Sequence, residues 1–231
     1  MKQYRYLLLD LDNTLFDFDR AEETAFYAAF SASGLVPDPA IYEAYHVIND
    51  RLWKQLEKGK VTRERLCTLR FELLLQYIGA EDNGRSTKIS EDYFRLLGEQ
   101  NFMLPGAEDV CRQLHEQYAL YIITNGTYAV QIRRFAGSPI EPYIREMFVS
   151  EKLGAAKPSP LYFEKVIRAV GDADLSRYCV IGDSLSSDIA GAAAVGIDAV
   201  WLDNRKTGDT RGLPVVHILE DIRELPDYLQ K

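Results

Sequence analysis

Short apolar runs that stop abruptly in polar residues, each followed by a helix-like stretch, recur along this chain, and that alternation constrains its fold more than any other feature. Strands buried on both faces read as continuous β-branched and aromatic runs, the signature of a parallel sheet. Such runs occupy residues 6–9, 120–123, 147–149, 178–181, 199–202 and 215–218. Between them, residues 107–117, 127–135, 160–170 and 186–195 have the length and apolar spacing of crossover helices. Ser159 before Pro160 predicts a helix start, and Gly171 and Gly196 stand where helices should stop. Alternating strand and helix predict an α/β fold with a Rossmann-like, doubly wound parallel sheet as its core.

One interval breaks the rhythm, because the strand after residue 9 arrives only at residue 120. From Asp19 to Gln100 the pattern is helical: Asp19 and Glu22 are spaced as a capping box, Asp38-Pro39 opens a long helix, and Gly34, Gly59 and Gly79 punctuate the ends. The expected organisation is a catalytic core of residues 1–15 and 101–231, with a helical cap domain at 16–100. In the cap, Leu66, Leu69, Leu73 and Tyr77 form one stripe and Phe71, Leu74 and Ile78 another, both expected to face a bundle core. Residues 82–86 read as a loop within the cap, and 203–212 as a long polar loop in the core.

Composition narrows the partners. The chain has 231 residues with 27 Lys+Arg against 35 Asp+Glu, a net charge of −8 that argues against broad affinity for a nucleic-acid backbone. A small phosphorylated ligand remains compatible with that charge. No apolar run approaches the ~20 residues that cross a bilayer, and the N-terminal residues lack an apolar signal segment, so a cytoplasmic protein without membrane partners is expected. Cys67, Cys111 and Cys179 are odd in number and form no C-x-x-C pair, which suggests reduced thiols. His46, His115 and His217 are scattered and are given no chemical role.

Ligands of open parallel sheets bind beyond the carboxyl ends of the strands, so the residues at those ends matter most. The first strand runs into Asp10-Leu11-Asp12-Asn13-Thr14, the second into Thr124-Asn125-Gly126, and the fourth into Gly182-Asp183-Ser184, with Asp188 close behind. Lys157, in Ala156-Lys157-Pro158, precedes a helix and is the obvious cation for that edge. Singly, each piece has a plain structural reading: Asn125-Gly126 as a turn, Asp183 or Ser184 as a helix cap, Lys157 as a loop lysine. Jointly, strand periodicity puts Asp10 and Asp12 on one side, and Asp183 and Asp188 would bring four carboxylates against one lysine. A cluster of oxygen ligands like this calls for a hard divalent cation, with Mg²⁺ the natural candidate because it keeps waters and bridges to phosphate oxygens.

The order Asp-x-Asp-x-Thr, a strand-end Thr, a Lys, and then Gly-Asp-x-x-x-x-Asp resembles the haloacid dehalogenase-like (HAD) phosphohydrolases over essentially the whole chain, with the helical insertion resembling their type 1 cap. The resemblance implies that Asp10 is the nucleophile that becomes an aspartyl-phosphate, and that Asp12 protonates the leaving oxygen and then deprotonates the hydrolytic water. Thr124 hydroxyl, the Asn125 backbone N–H, the Gly126 turn and Lys157 would hold phosphoryl oxygens, and Lys157 would also neutralise charge beside Asp10. Mg²⁺ would be held by Asp10, the Asp12 carbonyl and Asp183, with Asp188 and Thr14 supporting from behind. An acid at Asp12 favours a phosphate ester over a halide, since a departing halide needs no proton.

A narrower resemblance, to the bacterial pyrimidine 5′-nucleotidases of that superfamily, lies in Asn49-Asp50-Arg51-Leu52-Trp53, Gly59, Thr62, Arg70-Phe71-Glu72, Gln131 and Arg134. It implies a small phosphomonoester substrate, a nucleoside 5′-monophosphate with a pyrimidine base. Phe16, Asp17 and Trp53 are the expected leaving-group pocket beneath a mobile cap. Competing expectations are a sugar-phosphate or phosphoglycolate-type phosphatase, a phosphomutase, or a silent phosphate-ligand sensor on the same fold. A monomer or weak homodimer is expected.

Overall fold

The computed structural model describes residues 4–57 and 59–230. It divides into two compact units, Met1–Phe18 with Asn101–Lys231, and Asp19–Gln100. Phe16, Asp17 and Phe18 thus fall in the core, three residues beyond the expected boundary. The cause is local: Asp17 N–H donates to Phe102 O at 2.9 Å and Leu104 N–H to Leu15 O at 2.9 Å, which ties the two crossing strands of chain together on the core side.

In chain order the elements are β1 (Tyr6–Leu9), α1 (Phe18–Ala32), α2 (Pro39–Glu57), α3 (Arg63–Tyr77), α4 (Arg85–Leu97), α5 (Ala107–Leu114), β2 (Ala119–Thr124), α6 (Tyr128–Phe135), β3 (Ile144–Val149), α7 (Ser150–Leu153), α8 (Pro160–Val170), β4 (Tyr178–Gly182), α9 (Ala190–Val195), β5 (Asp198–Leu202), β6 (His217–Leu219) and α10 (Leu225–Leu229). The six strands form one sheet, all pairings parallel, in the order β3-β2-β1-β4-β5-β6. Alternate residues of a strand point to opposite faces, so a strand covered on both sides must be apolar throughout. Leu7, Leu9, Cys179 and Ile181 enter one buried cluster with Val110 and Leu114 of α5. Leu8, Tyr178 and Val180 enter another with Tyr162, Phe163 and Val166 of α8.

Several boundaries differ from the sequence expectation. The last strand is His217–Leu219, because its register is set by pairing of Val200 with His217 and Leu202 with Leu219. Pro160 opens α8, but the Ser159 hydroxyl makes no capping bond. The expected helix at 186–195 is preceded by a π-helical turn, Leu185–Ile189, and reaches α geometry only at α9. Gly171 and Gly196 end α8 and α9 in left-handed backbone, φ 84° and 75°, where a side chain would be strained. Among the described residues no helix is long and apolar enough to cross a membrane.

In the cap, Asp38 caps α2 through Ile41 N–H at 2.9 Å. Asp19 lies inside the first turn of α1 and so is not the cap residue of the expected capping box with Glu22. Instead Asn13 Oδ1 accepts the Phe18 N–H at 3.1 Å, and Glu22 is buried. Its Oε1 accepts from Tyr45 Oη, Asn49 Nδ2 and Tyr93 Oη at 3.1, 3.1 and 3.2 Å. Arg70 joins this cluster by donating to Tyr45 Oη and Asn49 Oδ1, both at 3.2 Å. The buried side of α3 is accordingly Leu66, Arg70, Phe71, Leu74 and Leu75, while Tyr77 of the expected stripe is exposed. The expected loop at 82–86 is shorter, since Asp82 accepts from Ser86 N–H at 2.9 Å and α4 starts at Arg85. Among the described residues, Cys67, Cys111 and Cys179 form no disulfide.

Candidate active site

In this strand order the succession of strands reverses between β1 and β4, the place where loops diverge and leave a crevice beyond the carboxyl ends. Asp10 follows β1 there and Asp183 follows β4, while Thr124 closes β2 on the other side of β1. Backbone pairing continues one residue past the strand, with Asp10 N–H donating to Ile181 O at 2.9 Å. After Asp10 the chain leaves strand geometry. Leu15 and Phe16 N–H both return to Leu11 O, at 2.9 and 2.8 Å, and Asn13 takes φ 58°. Strand periodicity therefore does not govern Asp10 and Asp12, and their carboxylates have different partners.

Lys157 Nζ donates to Asp10 Oδ1 at 2.5 Å, Asp188 Oδ1 at 2.6 Å and Ile123 O at 2.9 Å. Those acceptors occupy all three ammonium hydrogens. Lys157 thus acts by neutralising Asp10 and tethering Asp188, and in this arrangement has no donor left for the phosphate-binding role expected of it. Its backbone is gripped by the Asn125 side chain, which donates from Nδ2 to Lys157 O at 2.8 Å and accepts Lys157 N–H at Oδ1 at 2.9 Å. Sequence reasoning missed this clamp, as no local spacing joins residues 125 and 157.

Burial raises the Asp10 carboxyl to about 7, opposed by Lys157 and reinforced by Asp188 and Asp12. Asp183 is pushed well up by burial and by Asp10 and Asp188. Burial disfavours the Lys157 charge, but Asp10 and Asp188 outweigh it and hold the ammonium protonated. Carboxylate oxygens of Asp10, Asp183 and Asp188 lie within 4.8 Å of one another. That oxygen-only set, short of positive charge, fits a hard divalent cation. Asp188 is already committed: Oδ1 accepts from Lys157 and Oδ2 from Ser184 N–H at 3.1 Å. The π turn brings Asp188 back beneath Gly182, where a Cβ would stand 2.5 Å from Asp188 Cγ, so only glycine fits.

On the other side of Asp10, the Thr124 hydroxyl accepts from Gly126 N–H at 3.0 Å and from Gln131 Nε2 at 2.9 Å. Two accepted bonds leave its own hydrogen to be donated elsewhere. The Gly126 N–H is thereby spent on Thr124 and is not presented to a ligand, contrary to expectation. Gly126 is required by contact, since a Cβ would stand 2.5 Å from Gln131 Cδ. The Asp12 carboxylate is held by Gln131 Nε2 on Oδ2 at 2.6 Å and by Arg134 Nη1 on Oδ1. The Asp12 carboxylate does not belong to the acidic cluster of Asp10, Asp183 and Asp188.

The outer expected residues fare unevenly. Thr14 is fully buried and its Oγ1 has no hydrogen-bond partner among the described residues. Phe16 is fully buried in the core cluster, with the Arg134 guanidinium 5.0 Å from its ring centre, so it offers no face to a pocket. Asp17 is half-buried in the core. Trp53 is half-buried in the cap, where the Arg63 guanidinium lies 5.4 Å from its ring centre.

Comparison with known proteins places this geometry. The family model for haloacid dehalogenase-like hydrolase matches residues 4–196. The chain belongs to this family. Among HAD-like hydrolases it is 36% identical to pyrimidine 5′-nucleotidase PynA of Streptococcus pneumoniae, over 99% of this chain and 96% of the relative. It is 27% identical to pyrimidine 5′-nucleotidase YjjG of Escherichia coli, over 99% of both. The crystal structure of the HAD-hydrolase YfnB of Bacillus subtilis, bound to magnesium, superposes with a TM-score of 0.93 at 32% identity and 100% coverage of both chains. The expected family and Rossmann-like fold are thus borne out.

Proposed function

We propose that this HAD-like hydrolase is a Mg²⁺-dependent phosphomonoesterase that acts on nucleoside 5′-monophosphates, with preference for pyrimidine bases, through an aspartyl-phosphate at Asp10. The observation that carries the reading is the buried Asp10 carboxylate, held by Lys157 between the Thr124 hydroxyl and the Asp183 carboxylate at the sheet's switch point. Full-length similarity to two proteins named pyrimidine 5′-nucleotidase supports the substrate class.

Asp10 Oδ attacks phosphorus and the bond to the ester oxygen breaks, that oxygen leaving as an alcohol with the proton of Asp12. Water then attacks phosphorus and gives a proton to the Asp12 carboxylate, which regenerates Asp10 and releases inorganic phosphate. The sum is ester plus water to alcohol plus phosphate. Thr124 donates its hydroxyl hydrogen to a phosphoryl oxygen. Lys157 keeps Asp10 ionised and aligned, and Asp188 keeps Lys157 in place. The Asp10 and Asp183 carboxylates and the Asp12 carbonyl would hold Mg²⁺, which would supply charge neutralisation for the phosphoryl group.

Phosphate release from nucleoside monophosphates, sugar phosphates and phosphoglycolate with Mg²⁺, measured beside Asp10→Asn, tests this. Preference for pyrimidine monophosphates that disappears in the variant is the expected result. Preference for sugar phosphates would discard the substrate class and keep the chemistry. Inactivity on the whole panel would favour a silent sensor.

A further inference from the structure

Gln131 and Arg134 are polar residues at successive turns of one face of α6, each about 1% exposed in a protein that could have placed them in water. Burying an amide and a guanidinium is costly unless each is engaged. Here the engagement is directed. Gln131 Nε2 donates both to Thr124 Oγ1 and to Asp12 Oδ2, and Gln131 Oε1 accepts from Arg134 Nη1 at 3.2 Å. Arg134 donates to the other Asp12 oxygen, and its guanidinium lies 5.0 and 5.6 Å from the ring centres of Phe16 and Phe18. Those rings lie within cation–π range of the guanidinium, and Gly126 leaves the space in which the Gln131 amide lies.

We propose that Gln131 and Arg134 are positioning residues that set the orientation of the Asp12 carboxyl toward the leaving-group oxygen, and that Gln131 locks that orientation to the phosphate-binding Thr124. The proposal rests on the proton-transfer role given to Asp12 above. One amide touching both residues makes the Thr124 hydroxyl and the Asp12 carboxyl a single rigid unit, in which the phosphoryl-binding and leaving-group ends keep a fixed spacing.

Leaving-group dependence separates this role from a structural one, because an alkoxide needs a proton to depart and p-nitrophenolate scarcely does. Kinetics of Gln131→Met, Arg134→Lys and Asp12→Asn are compared on a nucleoside monophosphate and on p-nitrophenyl phosphate, with thermal unfolding of each variant. We expect Gln131→Met and Arg134→Lys to lower kcat/KM on the nucleotide by about 10²-fold, within the range of general acid–base contributions, and on p-nitrophenyl phosphate by less than about 3-fold. Equal losses on both substrates, or no loss, overturn the proposal while Asp12→Asn still discriminates between them. If Asp12→Asn itself fails to discriminate, the proton-transfer reading of Asp12 falls instead, and the proposal with it. Arg134→Lys retains charge and most of the buried stem, and it carries the test if Gln131→Met does not fold.

Discussion

Replacing Lys157 by methionine removes the ammonium while keeping most of the buried stem. The side chain is 2% exposed and its charge faces Asp10 and Asp188 at 2.5 and 2.6 Å, with Asp188 fully buried. Removing one partner of such a pair leaves uncompensated buried charge and costs about 3–5 kcal/mol. At about 2–4 °C per kcal/mol for a chain of this size, that corresponds to a fall in Tm of roughly 6–20 °C. The pH dependence has a definite sign. Burial raises Asp10 to about 7 although Lys157 pulls it down, so losing Lys157 raises it further. A carboxyl raised in the folded state binds its proton more tightly folded than unfolded, so stability falls as pH rises from the ordinary carboxylate range through the folded value. The deficit of Lys157→Met is therefore larger at about pH 8 than at about pH 5, where a protonated Asp10 no longer needs the ammonium. Thermal unfolding followed by circular dichroism in the presence of chelator measures both. A Tm within 2–3 °C of wild type, or a deficit that is the same at the two pH values, would refute the view that Lys157 compensates the buried acids, the 2–3 °C margin being about the effect of 1 kcal/mol.

Asp10→Asn, close to isosteric but a poor nucleophile, should abolish phosphate release and leave the circular dichroism spectrum unchanged; retained turnover would remove Asp10 from the reaction. Gly182→Ala places a Cβ 2.5 Å from Asp188 Cγ, and urea unfolding should show a loss of about 1–3 kcal/mol together with reduced kcat. Mg²⁺ at 100 times its Kd should stabilise the protein by about 2.7 kcal/mol, a rise in Tm of roughly 5–11 °C. Chelator should reverse that rise and Asp183→Asn should suppress it. Asn125→Ala deletes both bonds that grip the Lys157 backbone and should cost about 1–3 kcal/mol in urea unfolding, with a fall in kcat larger than any change in KM.

Much of the site was legible because its acids sit where a local rule puts them. A parallel sheet brings its strand ends to one edge, so Asp10, Thr124 and Asp183, each at or just past the end of an apolar run, had to share that edge. Gln131 and Arg134 were visible only as a resemblance, because their i, i+3 spacing on α6 places them on one face without showing what buries that face. The same kind of signal misled in the cap. Asp19 and Glu22 have capping-box spacing, yet Glu22 is drawn into a buried cluster with Tyr45, Asn49 and Tyr93 because the interior offers it three donors.

The sequence by itself determined the α/β alternation, the inserted helices and the chain order of the strand-end acids, because each depends on periodicity or composition within a few turns of chain. Only the tertiary structure decided which atoms meet. Lys157 reaches Asp10 across 147 positions of sequence, Gln131 reaches Asp12 across 119, and Asn125 grips Lys157 across 32. Contacts of that span are set by how the strands order themselves and how α6 and the loop before α8 pack on the sheet. Spacing along the chain carries no trace of them until the fold brings the partners within hydrogen-bond reach.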